Sequence, residues 1–319
     1  MKPLKTSRFL IHPTRSTGFL SQTFHATRPG DSQKFILKVG SDQPVAQHFS
    51  RHIRAFQREV HAYQLLKPLE GKHVPHCIAS VSTPDGSEGL LLLQEIFPCR
   101  TGDQIQGLSL KELSSVAKSI GAVHARFWNS TQLRKTKALP FHHYNRAHEA
   151  SEHAQTFLKH CRSLLTKKDV KRIQHFLPTI TQALRQAKKR PITLVHGDLR
   201  ADNLLLVRSK VFIVDWQIAA RGLGAFDLAR VIGGSSARPI TLRDQYKLIN
   251  IWQKTLRQGG VRRYHIADAW RDYQIGVALT LSIPITNAPT LMQLSIRGRK
   301  IARLMVRRFF QNAETILGI

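Results

Sequence analysis

The stretch Thr193–Ala229, TLVHGDLRADNLLLVRSKVFIVDWQIAARGLGAFDLA, decides the reading of this chain. Leu194-Val195 is a short apolar run that stops at His196, and the segment from His196 to Asn203 is polar. Leu204–Val207 resumes the apolar pattern, Arg208-Ser209-Lys210 makes a turn, and Val211–Val214 runs into Asp215. Two apolar strands joined by a short polar turn predict a β-hairpin. Folding that hairpin returns Asp215 towards the loop holding Asp198 and Asn203, so three oxygen-bearing side chains converge. Asn203 and Asp215 offer hard oxygen ligands suited to Mg²⁺, which takes a few protein oxygens and fills its shell with phosphates and water. Asp198 is then free to receive a proton from an attacking hydroxyl. An Asx-rich surface turn would explain D-x-x-x-x-N alone, but not the flanking strands and the correctly spaced second Asp.

The motifs HGDLRADN, VDWQ and GLGAFDLA together resemble the aminoglycoside-phosphotransferase and choline-kinase-like superfamily, most closely its ecdysteroid-kinase-like branch, where D-[FW]-Q recurs. The resemblance implies Asp198 as catalytic base and Asn203 and Asp215 as metal ligands. It implies His196 as a structural residue of the loop and Asp227 as a buried acid bracing it. Arg200 departs from the His or Trp often found there; facing the pocket, it would favour a negatively charged acceptor. DFG and APE motifs are absent, which argues against a eukaryotic-type protein kinase.

Upstream, the pattern predicts short strands from Arg8, at Phe24–Thr27 and at Lys34–Val39, then a helix over Phe49–Leu66. Lys38 lies inward on FILKV and Glu59 on the helix, the arrangement by which kinases hold nucleotide phosphates. Ser16, Thr17 and Gly18 form the turn expected to cover those phosphates through backbone amides or hydroxyls. A hairpin follows around Pro84-Asp85-Gly86. In the resembling family the next segment is a hinge contacting adenine, which here falls near Gln94 to Pro98, with Gln94 and Glu95 either serving it or simply ending the strand. Beyond Gly107 the chain turns helical, starting with a capping box at Ser109 and Glu112. His124 reads as a packing histidine. Asp272 and Tyr273 lie in what resembles the family's substrate-side helices, either facing the acceptor pocket or sitting on a salt-bridged helix surface.

At 319 residues, 42% hydrophobic and 22% charged, the chain is an ordinary globular one, yet 49 Lys and Arg against 20 Asp and Glu give a formal net charge of +29. The cations are spread, with clusters at Lys167–Arg172, Lys188–Arg190 and Arg297–Arg308, and no aromatic stripe or zinc finger accompanies them. A solvated face explains them better than a nucleic-acid site. Cys77, Cys99 and Cys161 form no C-x-x-C pair and fit a reducing, cytoplasmic setting. No apolar run approaches the ~20 residues of a membrane span. Residues 1–30 are basic and Ser/Thr-rich like a transit peptide, but are needed as the first strands of a lobe.

The expected fold is therefore α+β, a two-lobed protein-kinase-like architecture. Residues 1–97 form a small antiparallel-sheet N-lobe binding nucleotide, and residues 98–319 form a mostly helical C-lobe with the catalytic loop and acceptor site. The expected function is ATP- and Mg²⁺-dependent phosphoryl transfer to a hydroxyl of a small molecule. The alternatives are a pseudokinase-like nucleotide-binding module and a basic nucleic-acid-binding protein on the same fold.

Overall fold

The computed structural model describes residues 9–17, 20–30, 32–142 and 146–319. The chain begins with strands β1 (Leu10–Thr17), β2 (Ser21–Thr27) and β3 (Lys34–Gly40), followed by helices α1 (Pro44–Ile53) and α2 (Ala55–Leu66) and strands β4 (Cys77–Ser82) and β5 (Gly89–Gln94). These strands make an antiparallel five-stranded sheet in the order β1-β2-β3-β5-β4. Pro13 is tolerated because β1 is an edge strand, where a missing N–H breaks no inner ladder.

Two details differ from the sequence pattern. Ser16 and Thr17 extend β1, with Thr17 paired to Gln22, so they are strand rather than turn; Gly18 lies outside the described residues. The single expected helix over Phe49–Leu66 is two helices meeting at Arg54, whose φ of 55° is left-handed. The cause is tertiary. The β4–β5 turn docks on the break, Gly86 O accepts the Phe56 N–H at 3.1 Å, and a side chain at Gly86 would collide with Gln57 and Arg54.

After β6 (Arg100–Thr101) come α3 (Leu110–Phe127), α4 (Thr131–Lys135), α5 (Arg146–His160) and α6 (Lys167–Ala187). The capping box at the head of α3 is present: Ser109 Oγ accepts the Glu112 N–H and Glu112 accepts the Ser109 N–H. Ser109→Ala is expected to lower stability by about 1 kcal/mol, read from the shift of a chemical denaturation midpoint. Strands β7 (Thr193–Val195), β8 (Leu204–Val207), β9 (Lys210–Ile213) and β10 (Ala220–Gly222) follow, with β8 and β9 forming the expected hairpin and β10 pairing β7.

Four helices close the chain after α7 (Ala225–Ser235): α8 (Leu242–Gln258), α9 (Ile266–Thr280), α10 (Ser282–Leu294) and α11 (Ile296–Leu317). Every residue of α7 is buried, so this helix is the axis of the helical part. It nevertheless carries Asp227 and Arg230, two charges that an all-apolar environment tolerates only when paired. The stretch Ile266–Leu294 is long and apolar enough to cross a membrane, but its most apolar window is 72% buried within the fold, as befits core helices.

Candidate functional site

The polar loop after β7 is pinned from below. Asp227, wholly buried, accepts the backbone N–H groups of His196 at 2.7 Å and Gly197 at 2.9 Å. Gly197 has φ +83°, and a Cβ there would lie 2.7 Å from Ile218 O, so the position requires glycine. His196 Nε2 donates to Val214 O at 2.9 Å; its Nδ1 is thereby the acceptor for the Asp198 N–H at 3.2 Å. Asp227 also meets His124 Nε2 at 3.2 Å, while His124 Nδ1 accepts the Trp252 indole N–H at 3.0 Å. An indole only donates, so the His124 proton sits on Nε2 and points at Asp227. The side chains of His196 and Asp227 are thus spent on hydrogen bonds to the backbone of this loop and of Val214. His124 packs as expected and adds a directed hydrogen bond that its sequence context did not announce.

Above this support, Asp198 is held between two guanidinium groups. Arg230 Nη2 lies 2.8 Å from one carboxylate oxygen and Arg200 Nε 3.0 Å from the other. Burial pushes the Asp198 carboxyl up, but Arg230 and then Arg200 outweigh it and hold the carboxyl below its ordinary range. Arg200 also reaches Asp202 at 2.6 Å. Arg230 is only 3% exposed, rests on the Phe309 ring at 5.4 Å and fits because Gly234 has no side chain. Arg230 escaped the sequence reading. Its one available signal was a second charge, three residues after Asp227, in an otherwise apolar helix.

Asn203 turns inward beside this carboxylate. Its Nδ2 donates to Asp198 O at 2.9 Å, which leaves Oδ1 facing away from that bond, and its carbonyl accepts the Val214 N–H at 3.0 Å. With Leu204 paired to Ile213, that bond sets Asn203 beside Asp215. Asp215 has φ 67°, a left-handed backbone that a non-glycine residue adopts only where its surroundings impose it. Its carboxylate meets Lys38 Nζ at 2.8 Å, and the same ammonium lies 2.8 Å from both oxygens of Glu59. Glu59 also accepts the Trp216 N–H at 3.2 Å. So β3, α2 and the end of the hairpin meet at one buried cation. Burial favours a neutral lysine, but Asp215 and Glu59 raise its pKa and keep it charged. Burial also pushes Asp215 up, yet Lys38 pulls it below the ordinary range. Glu59, the more deeply buried carboxylate, is pushed up to about 7.

The donor set fits Mg²⁺ held by few protein atoms. Asn203 Oδ1, whose amide nitrogen is spent on Asp198 O, and the Asp215 carboxylate are both hard oxygens, and no cluster of three or more His, Cys, Asp or Glu suited to a metal occurs among the described residues.

The remaining expected residues fall in different places. Gln94 closes β5 with its N–H on His76 O, and Glu95 donates its N–H to Lys34 O; the Glu95 carboxylate lies 3.5 Å from His25. The backbones of Ser16 and Thr17 are committed to β1. Asp272 and Tyr273 do not face an acceptor pocket. Asp272 is buried between Arg190 Nε and the Tyr264 hydroxyl, which donates at 2.8 Å, and Tyr273 is buried with its hydroxyl on Gln245 at 2.5 Å. Their polarity serves the packing of α6, α8 and α9. The salt-bridge alternative is the one the structure adopts for Asp272.

Residues 14–272 match the model of the phosphotransferase enzyme family. No curated protein sequence matches the chain significantly. Among solved structures, an ethanolamine kinase from Plasmodium vivax superposes with a TM-score of 0.62 at 11% identity, covering 100% of this chain and 85% of that one. A choline kinase from Cryptosporidium parvum Iowa II gives 0.59 at 16% identity, covering 99% and 92%. An ADP-bound aminoglycoside phosphotransferase gives 0.54 at 16% identity, covering 98% and 96%. At such identities the likeness is one of fold.

Proposed function

Because the chain belongs to the phosphotransferase enzyme family, we propose that it transfers the γ-phosphoryl group of ATP to a hydroxyl of a small molecule, with Mg²⁺. The observation that carries this reading is the convergence of Lys38, Glu59 and Asp215 on one another beside Asp198 and Asn203. The ADP in a structural neighbour supports the nucleotide. Asp198 receives the acceptor hydroxyl as a hydrogen-bond donor, orients its oxygen and takes its proton as that oxygen bonds to phosphorus. The bond from phosphorus to the leaving diphosphate oxygen breaks in the same displacement. Lys38, fixed by Glu59, sets its ammonium against the nucleotide phosphates. Asn203 and Asp215 would hold Mg²⁺, which supplies neutralisation of phosphate charge. Positioning and electrostatics are most of what phosphoryl transfer requires.

The expected hinge at Gln94 and Glu95 remains the proposed adenine contact. Ser16, Thr17 and Gly18 remain the proposed phosphate cover. The VDWQ tripeptide favours the ecdysteroid-kinase-like branch. Two guanidinium groups flanking Asp198 favour a neutral or anionic acceptor over a cation such as choline or an aminoglycoside.

The test is a panel of hydroxylated metabolites incubated with ATP, Mg²⁺ and the protein, read by mass spectrometry for the gain of one phosphate. A neutral or anionic acceptor should gain it. If no compound in a broad panel does, the reading fails; if only cations do, the acceptor class is wrong. Glu59→Gln, which leaves Asp215 as the one carboxylate on Lys38, is expected to raise the KM for ATP several-fold with a smaller change in kcat.

A further inference from the structure

Between Asp272 and Glu314 the chain holds no acidic residue, yet it holds Arg297, Arg299, Lys300, Arg303, Arg307 and Arg308. The structure sets four of these on one side. In α11 the apolar residues Ile301, Ala302, Met305, Val306, Phe309 and Phe310 are buried, while Arg299, Lys300, Arg303 and Arg307 are exposed. At ~1.5 Å rise per residue, the stripe from Ile296 to Arg307 is roughly 16 Å long.

The tip of that stripe is apolar. The corner between α10 and α11 is made by Ser295, which caps α11 by accepting the Gly298 N–H at 2.9 Å. On either side of it Leu294 is 58% exposed and Ile296 is 69% exposed. The corner is also tied to the catalytic loop. Arg297 reaches Asp103 at 3.1 Å and Asp202 at 3.5 Å, and Arg308 donates to Gln104 O at 2.6 Å. The nearby acids are therefore already matched, and the outer cations of the stripe face solvent.

We propose that the α10–α11 corner docks the protein on an anionic lipid surface, with Leu294 and Ile296 entering the interfacial layer while Arg299, Lys300 and Arg303 meet the headgroups. Two aliphatic side chains ringed by cations suit an interface that is apolar beneath and anionic above. A nucleic acid presents the same negative charge but no apolar layer, so it leaves Leu294 and Ile296 without a role. This docking does not depend on the phosphotransferase reading.

The test is sedimentation of the full chain with vesicles of phosphatidylcholine alone and of phosphatidylcholine with phosphatidylglycerol, beside binding to immobilised heparin. The protein should sediment with the anionic vesicles only, and less so as salt rises. The triple variant Arg299→Glu/Lys300→Glu/Arg303→Glu should lower the bound fraction at least tenfold. Leu294→Ser/Ile296→Ser should lower it several-fold while heparin binding stays as in the wild type. All five positions are exposed, so the variants keep the packed side of α11 intact. Failure of the wild type to sediment with anionic vesicles overturns the proposal. So does wild-type sedimentation by the triple variant. Equal sedimentation by the serine pair also overturns it, since the contact would then be purely electrostatic, as with a nucleic acid.

Discussion

Asp198→Asn is expected to lower kcat by roughly 10²–10⁴-fold and to leave the KM for ATP nearly unchanged. The amide keeps the shape of the carboxylate but cannot take the acceptor's proton, and the nucleotide side, built on Lys38, Glu59 and Asp215, is untouched. The same change removes the anion that faces Arg230. A buried cation without its partner typically costs about 3–5 kcal/mol, and the 31% exposure of the Asp198 side chain reduces this to roughly 1–3 kcal/mol. The double variant Asp198→Asn/Arg230→Met should recover that stability without recovering turnover. Single-turnover kinetics and a denaturation curve separate the two effects. An Asp198→Asn enzyme with wild-type kcat would remove Asp198 from the chemistry.

Arg190→Ala should lower stability by about 3–5 kcal/mol, read by chemical denaturation. Asp272 is fully buried and held by Arg190 and Tyr264; without the guanidinium one neutral hydroxyl is left to face a buried negative charge. The effect depends on pH in a definite sense. Burial already raises the Asp272 pKa, with Tyr264 and Arg190 pulling it down, and removing Arg190 raises it further. A carboxyl whose folded pKa lies above its unfolded value favours the fold while protonated. The Arg190→Ala deficit should therefore be small below about pH 4, the ordinary Asp value. It should grow as pH rises past the raised folded pKa of the wild type towards the still higher one of the variant. A deficit under 1 kcal/mol at neutral pH would show that this ion pair contributes little.

What could be read in advance was local. Asp198, Asn203 and Asp215 lie within one loop and one hairpin, so spacing and strand pattern suffice to bring them together. Lys38 and Glu59 are linked by a strand and a helix whose apolar faces are plain in the sequence, and the structure joins them at 2.8 Å. What could not be read depended on distant partners. Nothing at Arg54 predicts a left-handed break, because the turn that docks on it begins at Pro84, 30 residues later. Asp272 looked available for an acceptor because its cation, Arg190, comes 82 residues earlier. Arg230 is the instructive case: its presence in a wholly buried helix is informative only once its target, Asp198, is known to lie above it.

The chain of bonds from Trp252 through His124 to Asp227 ends on the amides of His196 and Gly197. Those two amide hydrogens sit next to Asp198, the proposed base, yet they are locked to side chains at the centre of the core. Their exchange with solvent deuterium should accordingly be among the slowest in the protein, proceeding only through global opening, whereas loops that bind ligands usually exchange early. The catalytic loop thus belongs to the last part of the molecule to come apart. Any motion that turnover demands would have to come from elsewhere than this loop.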